Sequence, residues 1–264
     1  MDYELLCNKV ISIVRLTANF IRKEALQFDL DKIEYKGLND MVSYVDKTAE
    51  EKLVLNLEKL LPDAGFLTEE KTSTKKGKTY TWIIDPLDGT TNFIHGIPTF
   101  AISVALYEEG KPVIGVVYEI NRGEMFYSYK GGPAFLNRKE IHVSVNPDYK
   151  SSLLATGFPF YEFDKQPEYL NLLSDLMKKC HGIRRIGAAA VDLAYLACGR
   201  FDAYFEYTIQ PWDIAAGCFI VEQAGGEVFD FNGQKDYLAK KEIVATNGLL
   251  TQALFESINK HFKN

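Results

Sequence analysis

No apolar run in the chain approaches the roughly 18 residues that a membrane-spanning helix needs, and the opening Met1-Asp2-Tyr3-Glu4 is acidic where a secretory signal is basic. Both absences predict a soluble, cytoplasmic protein without a membrane partner. Cysteine is scarce: Cys7, Cys180, Cys198 and Cys218 form no C-x-x-C pair and sit among apolar neighbours, which speaks for buried thiols instead of bridges or a zinc site. N-x-[ST] sequons are absent, in keeping with an intracellular address. An excess of basic residues is missing too. With Asp+Glu 36 against Lys+Arg 30 the net charge is -6, leaving no broad cationic face, which argues against a nucleic-acid partner. The four histidines, His95, His142, His181 and His261, have no metal-ligand spacing. Neither an internal repeat nor a low-complexity linker interrupts the chain.

What remains is an ordinary globular balance, 47% hydrophobic and 25% charged over 264 residues, enough for one large domain or two modest ones sharing a cleft. Helical spacing of Leu6, Val10, Ile13, Val14, Thr17, Ile21 and Leu26 predicts a long amphipathic helix over 3–26. A second helix follows Asp46, with Glu50 and Glu51 in its early turns, and ends before Pro62. From Gly65 the period shifts toward two, predicting strands at 79–85, 99–107, 112–119 and 124–129 in an antiparallel meander. Beyond Asn146-Pro147 strands and helices alternate: strands at 151–156, 201–206, 227–231 and 242–246, helices at 167–179, 189–198, 211–224 and about 249–262. The change of style divides the chain into an N-terminal α+β subdomain, 1–145, and a C-terminal α/β subdomain, 146–264, with the site between them.

The segment Trp82-Ile83-Ile84-Asp85-Pro86-Leu87-Asp88-Gly89-Thr90-Thr91-Asn92-Phe93 runs an apolar strand into two carboxylates, a glycine and two hydroxyls. Asp85 and Asp88, with the Leu87 carbonyl, can converge on one hard cation, and Mg²⁺ suits such oxygen donors. Gly89 admits a ligand close to the backbone, where the N–H groups and hydroxyls of Thr90 and Thr91 could cradle a phosphate at a helix start. A turn and helix cap would use the same residues. Glu69-Glu70 also ends an apolar strand, and its adjacent carboxylates repel unless a cation or solvent separates them. Asp213 follows Pro211-Trp212 at a helix start, where a carboxylate needs no functional explanation. Taken together, the three acidic turns suit a two-metal site fed from separate segments.

These residues resemble the Mg²⁺-dependent, lithium-sensitive inositol monophosphatases. The resemblance covers nearly the whole chain: Asp40 to Asp46, Glu69-Glu70, Asp85 to Asn92, Gly187-Ala188-Ala189-Ala190, and Trp212-Asp213-Ile214-Ala215-Ala216-Gly217. It implies an α+β fold, the layered αβαβα sandwich of the inositol monophosphatase and fructose-1,6-bisphosphatase type, a homodimer, and hydrolysis of a small phosphorylated polyol or sugar, foremost a myo-inositol monophosphate. By the same resemblance Glu69, Asp85 and the Leu87 carbonyl would hold one Mg²⁺, Asp85, Asp88 and Asp213 a second, with Glu69 and Glu70 near a third, weaker site. Asp46 and Thr90 would share a hydrogen-bonded chain with the attacking water; Asp46 could equally cap the helix that follows it. Gly187, Ala188 and Ala189 would line the sugar side and Glu206 would accept substrate hydroxyls. Read by itself, Glu206 is a strand-end surface charge. Thr68 departs from the glycine that commonly precedes the acidic pair.

Two other motifs fail. Gly77-Lys78-Thr79 ends like a phosphate-binding loop, but position 72 is Thr where that motif requires Gly, and a strand follows instead of a helix. Asp85-Pro86-Leu87 lacks the second carboxylate of the aspartyl-phosphate phosphatases. Family relatives acting on histidinol phosphate, fructose bisphosphate or 3′-phosphoadenosine nucleotides remain alternatives. So does a role as a protein-binding regulator of transcription, since Arg184-Arg185 resembles the bacterial subgroup.

Overall fold

Asp2 begins the first helix by accepting from the Leu5 N–H at 2.9 Å, and the buried stripe of Leu6, Val10, Val14, Ala18 and Ile21 sets its inward face. The structure is a computed structural model. It describes residues 1–28, 33–37, 40–159 and 162–262, with 33–37 and 40–42 described by backbone alone, so the side chains of Asp40, Met41 and Val42 lie outside the described residues.

The elements run α1 (Tyr3–Ala25), β1 (Ile33–Gly37), β2 (Asp40–Ser43), α2 (Tyr44–Leu60), β3 (Gly65–Thr68), β4 (Tyr80–Asp88), α3 (Thr90–Ile94), β5 (Ala101–Glu108), β6 (Lys111–Glu119), β7 (Glu124–Tyr129), β8 (Phe135–Leu136) and β9 (Lys139–Glu140). They continue through β10 (Leu153–Thr156), α4 (Gln166–Leu176), β11 (Gly182–Arg184), α5 (Ala189–Ala197), β12 (Ala203–Tyr207), α6 (Pro211–Gln223), β13 (Glu227–Phe229), α7 (Tyr237–Lys240), β14 (Glu242–Thr246) and α8 (Thr251–His261).

A seven-stranded sheet takes the order β3-β4-β5-β6-β7-β8-β9, antiparallel except for the parallel β3–β4 pair. A five-stranded sheet takes the order β11-β10-β12-β14-β13, in which β10 runs parallel to both of its neighbours. α1 and α2 cover one face of the larger sheet, packing Leu53 and Leu57 with Trp82, Ile84 and Val104. α5 and α6 fill the space between the sheets. Both are apolar on nearly every side, because each helix meets β-structure on two flanks. α4 and α8 close the far face of the smaller sheet with Tyr169, Leu172, Leu254 and Ile258. The result is the α+β sandwich with layers in the order αβαβα. Among the described residues no helix is long and apolar enough to cross a membrane.

Candidate active site

β4 delivers two carboxylates to one end of the larger sheet. Side chains alternate along a strand, so residues three apart ordinarily face opposite ways. A bulge changes this: Asp85 pairs with Ser103 and Asp88 with Ala101, so the step from Asp85 to Asp88 on β4 matches a two-residue step on β5. The extra residue resets the alternation, and Asp85 and Asp88 share a face. Pro86 suits the irregular position because it has no N–H to leave unpaired, and the Leu87 N–H donates to Asp85 Oδ1 at 2.9 Å.

A cavity of about 140 Å³ lies at this end of the fold. Glu69, Asp85, Leu87, Asp88, Gly89, Thr90 and Thr91 line it from the larger sheet and α3; Gly187, Ala188, Ala189, Glu206 and Asp213 line it from the other side. Asp46 and Glu70 are not among the lining residues. Asp46 reaches the cavity through Thr90, whose hydroxyl donates to Asp46 Oδ1 at 2.8 Å and also lies 3.0 Å from the Leu87 carbonyl. Asp46 Oδ2 accepts from the Ser43 N–H at 2.9 Å and its hydroxyl at 2.6 Å, so Ser43 is the helix cap and Asp46 the reciprocal third residue of a capping box. Glu70 turns its backbone N–H to Glu50 Oε2, 2.8 Å away. Thr68 is buried, its hydroxyl without a hydrogen-bond partner among the described residues.

The remaining acids are held by helix starts. Asp88 accepts from the N–H groups of Ala189 and Ala190, at 3.2 and 2.7 Å, and so sits at the positive end of α5. Asp213 Oδ2 accepts from the Gln210 N–H at 2.9 Å. Gly89 has φ 91°, a left-handed turn that favours glycine, and it is the residue that precedes α3. Thr90 is therefore the first helical residue and not the cap.

Packing these acids together shifts their protonation. Burial pushes the Asp85 carboxyl well above the usual range, and the charges of Glu69, Asp88 and Asp213 push it further. Asp88 is raised to about 7 by burial, against the N–H groups of α5 and the Arg185 guanidinium, which pull it down. Asp213 rises through burial and the Asp88 charge. Among the described residues, no three His, Cys, Asp or Glu side chains are already closed around an ion position. Instead, the Asp213 charge disfavours the ionised form of the Asp85 carboxyl, a repulsion that a retained proton relieves. A divalent cation can replace that proton, and a donor set of carboxylates and a peptide carbonyl fits a hard ion such as Mg²⁺.

Glu206 is not a surface charge. It is 7% exposed, takes a hydrogen bond from the Tyr204 hydroxyl, and is raised to about 7, chiefly by burial. Gly157 makes room for it: a Cβ there would lie 1.9 Å from Glu206 Oε2. An unfolded glutamate titrates near pH 4.3, so the folded chain keeps a proton that the unfolded chain loses. This contribution to stability is complete below about pH 4.3 and vanishes as pH climbs through 7, a swing of about 4 kcal/mol. Melting Glu206→Gln in chelator at pH 5 and pH 8 should therefore show a smaller loss across the interval than the unmodified protein, by on the order of 5 °C. Equal losses would remove this account of Glu206.

Sequence reasoning missed several lining residues, among them Arg185 and Asp192. Asp192 is 2% exposed, its Oδ1 without a hydrogen-bond partner among the described residues and its carboxyl raised by burial and by the charges of Glu206 and Asp88. The available signal was one acid inside the apolar run Ala189–Ala197. Such a residue is rarely buried without a polar reason.

The layered sandwich and acid-lined cavity define a class of α+β proteins built around a carboxylate-rich cleft between two sheets. Within it, the chain belongs to the inositol monophosphatase family, whose description matches residues 3–264. It is 39% identical over 259 residues to a Pseudomonas aeruginosa protein named Nus factor SuhB, covering 96% of each chain. It is 38% identical over 230 residues to a Mesorhizobium japonicum inositol-1-monophosphatase, covering 87% of this chain and 86% of that one. The crystal structure of the extragenic suppressor protein suhB of Bartonella henselae superposes with a TM-score of 0.91 at 37% identity, covering 97% of this chain and 98% of that one.

Proposed function

We propose that the chain hydrolyses a phosphate monoester of a small polyol, foremost a myo-inositol monophosphate, with Mg²⁺ as cofactor. The observation that carries this reading is the convergence of Glu69, Asp85, Asp88 and Asp213 on one cavity that also holds the Leu87 carbonyl and the Gly89–Thr91 turn. Glu69, Asp85, Leu87, Asp88 and Asp213 would hold the cations, and Glu70 would contribute only at a third, weaker position. Bound there, Mg²⁺ supplies charge neutralisation for the phosphoryl group and lowers the pKa of water. The N–H groups of Gly89, Thr90 and Thr91 face the phosphate. Thr90 takes the proton of the attacking water as it passes its own to Asp46, while Glu206 and the backbone of Gly187, Ala188 and Ala189 receive the polyol hydroxyls. The ester is cleaved by water, with no covalent enzyme intermediate. We place this activity in the cytoplasm, in a homodimer.

Phosphate release from a panel of inositol, sugar, histidinol and nucleotide monophosphates tests the reading. Release should require Mg²⁺, fall when Ca²⁺ replaces it because looser coordination spoils the geometry, and be inhibited by Li⁺ at about millimolar concentration or above. Full release in excess chelator would overturn the mechanism. A second reading, a Nus-factor role exercised through macromolecular contacts, is favoured by the name of the Pseudomonas relative. It predicts that Asp88→Asn still supports the cellular role of the unmodified chain.

A further inference from the structure

Glu50 lies one helical turn beyond Asp46 on α2, and nothing in the reaction described so far uses it. Its side chain is fully buried, a position that a carboxylate tolerates only when its oxygens are occupied. Three donors occupy them, all from one turn. The Glu70 N–H donates to Oε2 at 2.8 Å, and the Thr72 N–H and hydroxyl each donate to Oε1 at 2.8 Å. Between these donors Lys71 adopts the left-handed conformation, φ 58°, which costs a residue with a Cβ about 1–2 kcal/mol and lets alternate N–H groups converge on one anion. The turn is also tied at its base, where the Glu69 N–H meets the Ile84 carbonyl of β4 at 3.3 Å. Glu69, the one acid on this turn that lines the cavity, is thus gripped from both ends: by β4 on its own amide and by Glu50 on the next.

The geometry points to Glu50 as a positioning residue that fixes the Glu69–Thr72 turn and, through it, sets how tightly the acidic cavity holds a divalent cation. This inference rests on the cation-dependent reading given above. Glu50 itself lines no part of the cavity. It acts on the ion only by denying Glu69 other positions, in the manner of outer groups that orient ligands and commonly govern ten- to hundredfold of affinity. The chemistry demands a carboxylate in particular. Both oxygens face donors, so a glutamine would turn its NH₂ against either the Glu70 N–H or the Thr72 pair, and an aspartate would fall one methylene short.

Direct Mn²⁺ binding to the intact, metal-stripped protein, followed by electron paramagnetic resonance, tests the idea without reference to turnover. Glu50→Gln and Glu50→Asp should each raise the Mn²⁺ Kd about tenfold or more, and Thr72→Val, which deletes the hydroxyl bond but keeps both amide bonds, roughly two- to threefold. Melting in chelator is measured on the same proteins. A purely structural Glu50 would lower the melting temperature and leave Kd unchanged, and a folded Glu50→Gln binding Mn²⁺ within twofold of the unmodified chain overturns the proposal. Should Glu50→Gln not fold, Glu50→Asp and Thr72→Val decide by the same measure, both binding like the unmodified chain being the adverse result. Failure of the unmodified protein to bind Mn²⁺ sinks the cation-dependent reading instead.

Discussion

Replacing Asp88 or Asp213 with asparagine should reduce phosphate release at saturating Mg²⁺ by at least about a hundredfold, equivalent to about 2.7 kcal/mol of lost transition-state stabilisation. The substitution removes one negative charge from the cavity and changes almost nothing in shape. Its structural cost is small for reasons visible at each site. In Asp88→Asn the amide oxygen remains for one of the two N–H groups, those of Ala189 and Ala190, that Asp88 now serves, and in Asp213→Asn it can still accept from Gln210. Losing one hydrogen bond costs about 1 kcal/mol, and removing a charge that burial already disfavours offsets part of it. Both variants should therefore melt close to the unmodified protein in chelator while losing most of their response to Mg²⁺. Near-normal turnover by either would mean that its carboxylate serves the helix start alone.

Thr90→Ala should lower kcat by two orders of magnitude or more and leave the Mg²⁺ requirement nearly unchanged, because none of the acids facing the cavity is altered. The hydroxyl has one proton, which the Asp46 contact at 2.8 Å can accept, and lone pairs that remain for a water in the cavity. That arrangement conducts a proton from water to carboxylate, and methyl cannot. Thr90→Ser should restore much of the rate. A helix-capping role makes a different demand, about 1 kcal/mol of stability with kcat intact, and Gly89 already occupies the capping position. Measuring kcat and melting temperature on the three proteins separates the two, and an unchanged kcat in Thr90→Ala removes Thr90 from the proton path.

Much of this architecture is legible in the sequence where period and burial agree. The stripe from Leu6 to Ile21 faces one core, and the apolar runs along 101–108 and 111–119 are buried on both faces between the α1–α2 and α5–α6 layers, so the chemical pattern maps directly onto a helix or strand. Legibility stops where an element is too short to show a period. β8, β9 and β11 have two or three residues each and exist because a neighbouring strand offers them partners. The β1–β2 ribbon and α7 are missed on the same ground. At the cavity, the acids at strand and helix ends announce themselves by position, whereas Asp192, Glu50 and the burial of Glu206 do not. Glu50 looks like any early-turn helix acid until the Glu69–Thr72 turn folds over it, and Glu206 looks exposed until Gly157 and Tyr204 enclose it. Long-range contacts decide these three, and no local pattern encodes them.

The bulge between Asp85 and Asp88 governs which changes in chain length the protein can accept. Straightened to strict alternation at its present length, β4 would put the two carboxylates on opposite faces, one of them against the apolar layer of α1 and α2. Deleting the extra residue would keep them on one face, but only by removing Pro86 or Leu87, whose carbonyl meets the Thr90 hydroxyl. Side chains in the segment can be exchanged one at a time with graded effects, whereas the bulge is either present or absent, because parity has no intermediate value. The loop from Ser73 to Lys76 carries no such constraint and joins β3 to β4 away from the cavity lining. Variation in length within this protein's lineage should therefore gather in loops of that kind and stop short of Asp85.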